Sequence, residues 1–170
     1  MKRGADPCVK QSLSLKELTP QELLQLTGQI LDELSARKIV RTSNNPVGGY
    51  TEWLVSKCLS LTLCRNSEKG FDSTGKDGAK YEIKARRVTP ANKSRQLSAI
   101  RNIEGEHFDF LIAVVYNKFF EVILALKIPR AVVVAKSSYV KSTNSYKLMA
   151  EDSLKDEPGV VDIAPSLRKR

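Results

Sequence analysis

Residue types that carry much enzyme chemistry are scarce in this chain of 170 residues. Its one histidine, His107, leaves little material for a Ser-His-Asp triad or for chemistry that needs several histidines. The three cysteines, Cys8, Cys58 and Cys64, lack the spacing of a zinc site. We expect them to be reduced thiols, with Cys58 and Cys64 packed inside a helix, and we expect no structural metal.

Long apolar runs are missing as well. The stretch 108–116 is apolar but far shorter than the roughly 20 residues that span a bilayer. The sequence begins Met-Lys-Arg-Gly-Ala-Asp-Pro, without an apolar signal-peptide core. These absences predict a cytoplasmic protein with no membrane partner.

Length and composition predict one folded unit. Hydrophobic residues make up 41% of the chain, which is enough for a sizeable core, and 170 residues are too few for two ordinary domains. We predict a single domain over residues 1–170, with residues 1–17 and 165–170 as flexible tails.

The periodicity and turn signals predict an α/β fold with a mixed central sheet flanked by helices. Thr19, Pro20 and Glu22 have the pattern of a capping box, which predicts a helix that ends near Lys38. The predicted inner face of this helix consists of Leu23, Leu24, Thr27, Ile30, Leu31 and Leu34.

Further elements follow along the chain. A second helix is predicted over residues 49–63, and residues 108–116 and 119–126 are predicted to form a hairpin. Residues 94–102 suit either a helix or extended chain, and residues 129–135 suit either a helix or a strand.

The segment from Gly70 to Arg87 combines an acid, a turn and an alternating strand. Residues 79–86 alternate small or apolar side chains with charged ones, so Glu82 and Lys84 should share one face of a strand. An Asp-Gly turn precedes this strand, which should bring Asp72, near the end of the preceding strand, beside Glu82.

Two carboxylates and an ammonium would then converge, a set that suits phosphodiester chemistry. Mg²⁺ prefers oxygen ligands and commonly binds one or two protein carboxylates, here Asp72 and Glu82, with the carbonyl of Ile83 as a further ligand. The cation would polarise a phosphate and acidify a water, and Lys84 would orient that water or offset developing charge.

Simpler interpretations exist for the same residues. A Glu-x-Lys pair is common on the solvated face of an amphipathic strand. Asp77 competes with Asp72 as the first acid, although its place in the turn has a structural explanation, and Asp109 is expected to flank a strand.

Positive charge is concentrated just after this segment. The chain carries 28 Lys and Arg against 19 acids, a net charge of +9, and the range 80–101 holds seven basic residues against the single acid Glu82. Such a block suits a phosphate backbone, although a basic face can also serve solubility alone. The predicted DNA contacts are Arg86, Arg87, Lys93, Arg95 and Gln96, the last two as base readers.

Three segments resemble the PD-(D/E)XK nuclease superfamily. They are residues 70–72 (Gly-Phe-Asp), residues 81–84 (Tyr-Glu-Ile-Lys) and residues 51–55 (Thr-Glu-Trp-Leu-Val). The resemblance covers about residues 45–128 and is strongest to small uncharacterised bacterial members, in which similar segments and an Arg-Arg pair recur in this order. Phe71 stands where the motif has its name-giving proline.

The resemblance implies a restriction-endonuclease-like core and a Mg²⁺-dependent DNA endonuclease, with Mn²⁺ as a substitute metal. It assigns Asp72 and Glu82 as metal carboxylates, Lys84 as the catalytic lysine and Glu52 as an auxiliary acid on a helix. An acid early in a helix is also favoured by the helix dipole. A type II-like restriction or defence nuclease acting as a homodimer is the implied function.

Two alternatives remain open at this point. The chain could be a catalytically silent DNA-binding or assembly module, because a fold does not fix an activity. It could also be a structure-specific or RNA nuclease, although its aromatic residues, 6% of the chain, form no evident stacking platform.

Overall fold

The computed structural model describes residues 14–42, 45–64, 70–105 and 107–168. None of the helices in these ranges is both long and apolar enough to cross a membrane. The described helices are α1 (Pro20–Ala36), α2 (Val47–Leu59), α3 (Arg130–Lys136) and α4 (Ala164–Arg168). The described strands are β1 (Thr62–Leu63), β2 (Ser73–Thr74), β3 (Lys80–Arg87), β4 (Phe110–Tyr116), β5 (Val122–Pro129), β6 (Ser138–Val140), β7 (Ser145–Lys147) and β8 (Val161–Asp162).

Six of the described strands form one mixed sheet in the order β1-β2-β3-β4-β5-β8. β3 and β4 run parallel, with Ile83 opposite Ile112 and Lys84 opposite Ala113. The other neighbouring pairs of this sheet are antiparallel, and β6 pairs with β7 separately. The predicted hairpin between β4 and β5 is therefore confirmed.

Strand β4 lies at the centre of the core, and residues 111–116 are all buried. Because side chains alternate along a strand, Leu111 and Val115 face one side of the sheet while Ile112 and Tyr116 face the other. The first side is covered by α3 and the segment 97–103, and the second by α2 and α4. Helices on both faces confirm the predicted α/β fold with a mixed central sheet.

Helix α1 begins as predicted but packs differently. The Thr19 side chain accepts a hydrogen bond from the Glu22 N–H, and the Glu22 side chain accepts one from the Thr19 N–H, so the capping box is complete. The prediction of a buried inner face is wrong, because α1 buries none of its residues. Leu23, Leu24 and Ile30 are 38%, 73% and 51% exposed. Periodicity shows that a helix is amphipathic but not whether its own chain covers the apolar side.

Several boundaries also differ from the predictions. Helix α2 ends at Leu59, so Cys64 follows β1 rather than lying in the helix. Of the two structures left open, residues 94–102 are extended, with bridges from Gln96 to Met149 and from Ile100 to Tyr146, and residues 130–136 are helical.

The two expected tails have different outcomes. Residues 1–13 and 169–170 lie outside the described part of the chain. Instead of a tail from residue 165, α4 runs to Arg168 and buries Ala164 and Leu167 against the sheet. Short helices of this kind are stabilised by the apolar surface they bury rather than by their own length, which is why the sequence pattern did not reveal it.

The centre of β4 should dominate the stability of the fold. Ile112 is fully buried, so Ile112→Ala is expected to lower the free energy of unfolding by about 2–5 kcal/mol. The same change at Ile123, which is 36% exposed on β5, is expected to cost about 1 kcal/mol or less. Urea denaturation measures both, and equal losses would contradict the assignment of β4 as the core strand.

Candidate functional site

The turn between β2 and β3 has the predicted Asp-Gly form. The Gly75 N–H donates to the Ala79 carbonyl at 2.8 Å, and the Asp77 carboxylate accepts from the Ala79 N–H at 3.1 Å. Gly78 has a φ of 84°, a conformation that favours glycine. Asp77 and Asp109 thus have structural roles, since the Asp109 carboxylate accepts from the Lys80 N–H at 2.8 Å where β3 begins.

Asp72 lies beside the middle of β3. It comes one residue before β2, which is only the two residues Ser73–Thr74. Asp72 therefore precedes this strand instead of lying near its end, as predicted. Its N–H donates to the Tyr81 carbonyl at 2.8 Å. Its carboxylate accepts a hydrogen bond from the Ile83 N–H at 2.6 Å. A side chain thus pairs with β3 at a point where β2 supplies no backbone partner.

Glu82 and Lys84 share one face of β3 and form an ion pair with each other. Their side chains are only 14% and 18% exposed, which is unlike the solvated surface pair of the simpler interpretation. Burial raises the pKa of Glu82, and the nearby carboxylates of Asp72 and Glu52 raise it further, while Lys84 opposes them. Glu82 is therefore close to both of the other predicted acids.

Glu52 reaches this region from α2. It lies in the second turn of the helix, so the helix dipole gives a weaker explanation for it than the sequence suggested. Its carboxylate, 22% exposed, forms an ion pair with Arg41, and Arg41 also donates to the Cys64 carbonyl at 3.0 Å. Sequence reasoning missed Arg41, which stands in a loop without any motif around it.

A polar cleft of about 630 Å³ opens between α2 and the exposed edge of β3. Its wall includes Glu52 and Lys84 together with two of the predicted DNA-binding residues, Arg86 and Arg87. The remaining lining residues are Asn45, Val47, Gly48, Ile83, Ala85, Thr89, Asn92 and Ser98. The cleft thus combines the lysine of the candidate site with positive charge and small polar groups.

The predicted DNA-binding residues have different surroundings. Arg86 donates to the Ser94 carbonyl at 3.1 Å, and the Arg87 guanidinium lies 4.8 Å from the centre of the Phe120 ring. Lys93 and Gln96 are exposed. Arg95 forms a 2.8 Å ion pair with Asp152, which offsets its charge, so the structure brings Arg86 and Arg87 to the cleft but not Arg95.

The donor set suits a hard cation such as Mg²⁺. In the described part of the chain, no group of three or more His, Cys, Asp and Glu side chains could hold a metal ion. The contacts of Asp72 with Ile83 and of Glu82 with Lys84 each use one carboxylate oxygen, which leaves a second oxygen on each acid. The Ile83 carbonyl points to the same edge of β3 as its N–H, toward Asp72. Two carboxylates and a carbonyl with waters are a sufficient Mg²⁺ set.

Comparison with known proteins does not assign this chain to a family. Neither the protein-family models nor the curated proteins give a significant match to this sequence. The geometry of the residues around β3 is therefore the basis for assigning a function to this chain.

The raised pKa of Glu82 gives a direct test of this cluster. In metal-free protein, Glu52→Gln is expected to lower the pKa of Glu82, because it removes a repulsion that opposes ionisation. Lys84→Met is expected to raise it, because the ammonium favours the carboxylate. NMR titration of the side-chain carboxyl carbon in EDTA measures both shifts, and Glu104→Gln, at an exposed acid, serves as the matched control.

The raised pKa of Glu82 also makes the stability of the fold depend on pH. Because the pKa of Glu82 is raised in the folded protein, its contribution is fully present below the pKa of the unfolded chain and is lost as the pH rises through the folded value. A pKa of Glu82 that does not respond to Glu52→Gln would contradict the cluster.

Proposed function

We propose that this protein is a Mg²⁺-dependent DNA endonuclease of the PD-(D/E)XK superfamily with a restriction-endonuclease-like core. The observation that supports this best is the meeting of Asp72, Glu82 and Lys84 on one strand edge, beside a polar cleft lined with arginines. Glu82 and Lys84 are mostly buried here, whereas an ordinary surface ion pair is exposed to solvent. Such a site needs two hard acids, one ammonium and a phosphate-binding surface.

Each residue of the candidate site would have a separate role in the reaction. Asp72 and Glu82 hold the cation, with Asp72 fixed in place by the Ile83 N–H. Lys84, kept beside Glu82, donates hydrogen bonds to a water or to a phosphate oxygen and offsets the negative charge that develops there. When bound, Mg²⁺ supplies Lewis-acid polarisation of the phosphate and acidifies bound water. Glu52 is the auxiliary acid at the wall of the cleft.

Arg86 and Arg87 would bind phosphates of the DNA backbone from the wall of the cleft. Lys93, which is exposed nearby in sequence, would extend that contact. Two such sites related by a two-fold axis can cut both strands of a duplex in one encounter, so a homodimer in a restriction or defence system fits the proposal.

A catalytically silent DNA-binding module is the second candidate, and the ion pairs favour it. Glu82 is paired with Lys84 and Glu52 with Arg41, so two of the three acids are already neutralised by basic side chains. A calorimetric measurement of Mn²⁺ binding in the absence of DNA distinguishes the two candidate functions. An endonuclease should lose Mn²⁺ binding in Asp72→Asn and retain it in Lys84→Ala, whereas a silent module should bind DNA equally well in EDTA and show no acid-dependent site.

Cleavage of supercoiled plasmid tests the chemistry. With Mg²⁺, the wild-type protein should cut, and Asp72→Asn, Glu82→Gln and Lys84→Ala should each lose at least about 100-fold in rate, since each removes a group that acts on the phosphate or its cation. EDTA should abolish the reaction.

The matched control for cleavage is Asp77→Asn, the same change in the same hairpin. The asparagine oxygen can still accept the Ala79 N–H, so cleavage should be close to that of the wild type. Equal cleavage by all of the variants would indicate a contaminating nuclease and sink the assignment.

Salt dependence tests the DNA-binding surface separately from cleavage. Measured in Ca²⁺ or EDTA, Arg86→Ala and Lys93→Ala should each reduce the slope of log affinity against log salt by about 1, because each removes one phosphate contact. Arg95→Ala should change the slope less, because Asp152 already pairs with Arg95. Lys136→Ala, on α3, is the matched control, and a slope that falls equally there would contradict the proposed surface.

A further inference from the structure

Helix α1 carries an apolar stripe that the described part of the chain leaves uncovered. Leu23, Thr27, Ile30 and Leu34 follow one another at spacings of three and four residues, which places them on one face of the helix. No residue of α1 is buried, although the helix has 17 residues and is about 25 Å long. An amphipathic helix of this length gains most of its stability by packing its apolar face, and residues 14–42, 45–64, 70–105 and 107–168 supply no cover for it.

The stripe faces a groove with an aromatic wall. Tyr50 and Phe120 form that wall, with ring centres 6.1 Å apart and planes at 87°. The groove measures about 640 Å³ and is almost entirely apolar. The remaining lining residues are Thr27, Ile30, Leu31, Leu34, Asn45, Pro46 and Arg87. Apolar side chains of an additional helix would fit between α1 and this wall.

Charge along α1 indicates which helix would fit. Within α1 the charged residues are all acids, Glu22, Asp32 and Glu33, whereas Arg37 and Lys38 follow directly after its end. At about 100° per residue, Glu22 and Arg37 flank the same side of the apolar stripe. Because Glu22 lies near the start of α1 and Arg37 at its end, this acid and this base meet when a copy of the helix runs in the opposite direction.

We propose that the apolar stripe of α1 is a dimer interface, occupied by α1 of a second copy of this chain in an antiparallel, two-fold arrangement. Each Leu23 then lies opposite Leu34 of the second copy, and each Thr27 opposite Ile30. Each Glu22 comes within one turn of Arg37 of the second copy, and this guanidinium keeps donors beyond those it gives to Glu33. Such a self-complementary patch is what a two-fold dimer requires.

The interface adjoins the candidate catalytic cleft. Asn45 and Arg87 line both the apolar groove and the polar cleft, so each cleft borders the interface. The dimer does not depend on the nuclease proposal, because its test is the mass of the particle in solution. A dimer without cleavage would leave the interface standing, and cleavage by a monomer would overturn the interface alone.

Sedimentation equilibrium of the full chain at several concentrations provides the test. The wild-type protein is expected to reach twice the 18.9 kDa of one chain in the micromolar range. Leu23→Glu and Ile30→Glu, both at exposed positions of the stripe that the monomer does not need for its core, are expected to raise the dissociation constant at least about 100-fold, because each buries a charge in an apolar interface. Circular dichroism checks that both variants fold.

Two further variants test the surface and the orientation. Val134→Glu puts the same charge at an exposed position on α3 and should leave the dimer intact. Arg37→Glu should weaken the dimer about two- to fivefold. Because Glu22 also belongs to the capping box of α1, Glu22→Lys alone is the reference variant, and adding Arg37→Glu to it should strengthen the dimer, since only an antiparallel pair brings these two positions together.

Two outcomes overturn the proposal. A wild-type protein that stays at the mass of one chain up to about 1 mM would mean that another partner, or another part of the chain, covers the groove. A dimer that survives both Leu23→Glu and Ile30→Glu would mean that the interface lies elsewhere. Failure of the double charge reversal with loss of the dimer in Ile30→Glu would overturn the antiparallel orientation.

Discussion

The candidate site depends on the unequal pairing of the two edges of β3. One edge pairs with β4 along the whole strand, whereas the other pairs with β2 over two residues in the described part of the chain. Beyond that point the Asp72 carboxylate takes the Ile83 N–H. The hydrogen bond thus does two things, since it satisfies a strand edge and holds a carboxylate beside Glu82. A fully paired β3 would leave no room for the acid.

The three acids Asp72, Glu82 and Glu52 are only partly compensated by the two basic residues near them. Burial and the neighbouring acids disfavour the charge of Glu82, and Lys84 and Arg41 offset the excess. If Asp72 and Glu82 hold a cation, as proposed, Lys84 could donate to a phosphate instead of pairing with Glu82. The same pairs can also hold the fold together without any chemistry, and this is why metal binding distinguishes the two candidate functions.

Sequence reasoning succeeded where the signal was local. The capping box of α1, the Asp-Gly turn and the β4–β5 hairpin follow from neighbouring residues, and all are present. It failed where distant parts of the chain decide. The sequence pattern predicts a buried stripe on α1 and a tail in place of α4, and it gives no signal for Arg41. In each case the outcome depends on which other parts of the chain pack against the segment or leave it exposed, and periodicity does not register this.

The residue types of the candidate site and their order follow from the amino-acid sequence alone, because strand alternation places Glu82 and Lys84 on one face and the turn returns Asp72 toward them. The packing of the fold adds that these groups are half-buried and that Glu52 approaches them from α2. It also places Arg86 and Arg87 at the cleft, while Arg95 is paired elsewhere. The physical reason is that burial and ion pairing depend on which elements pack together, and packing is a property of the whole fold.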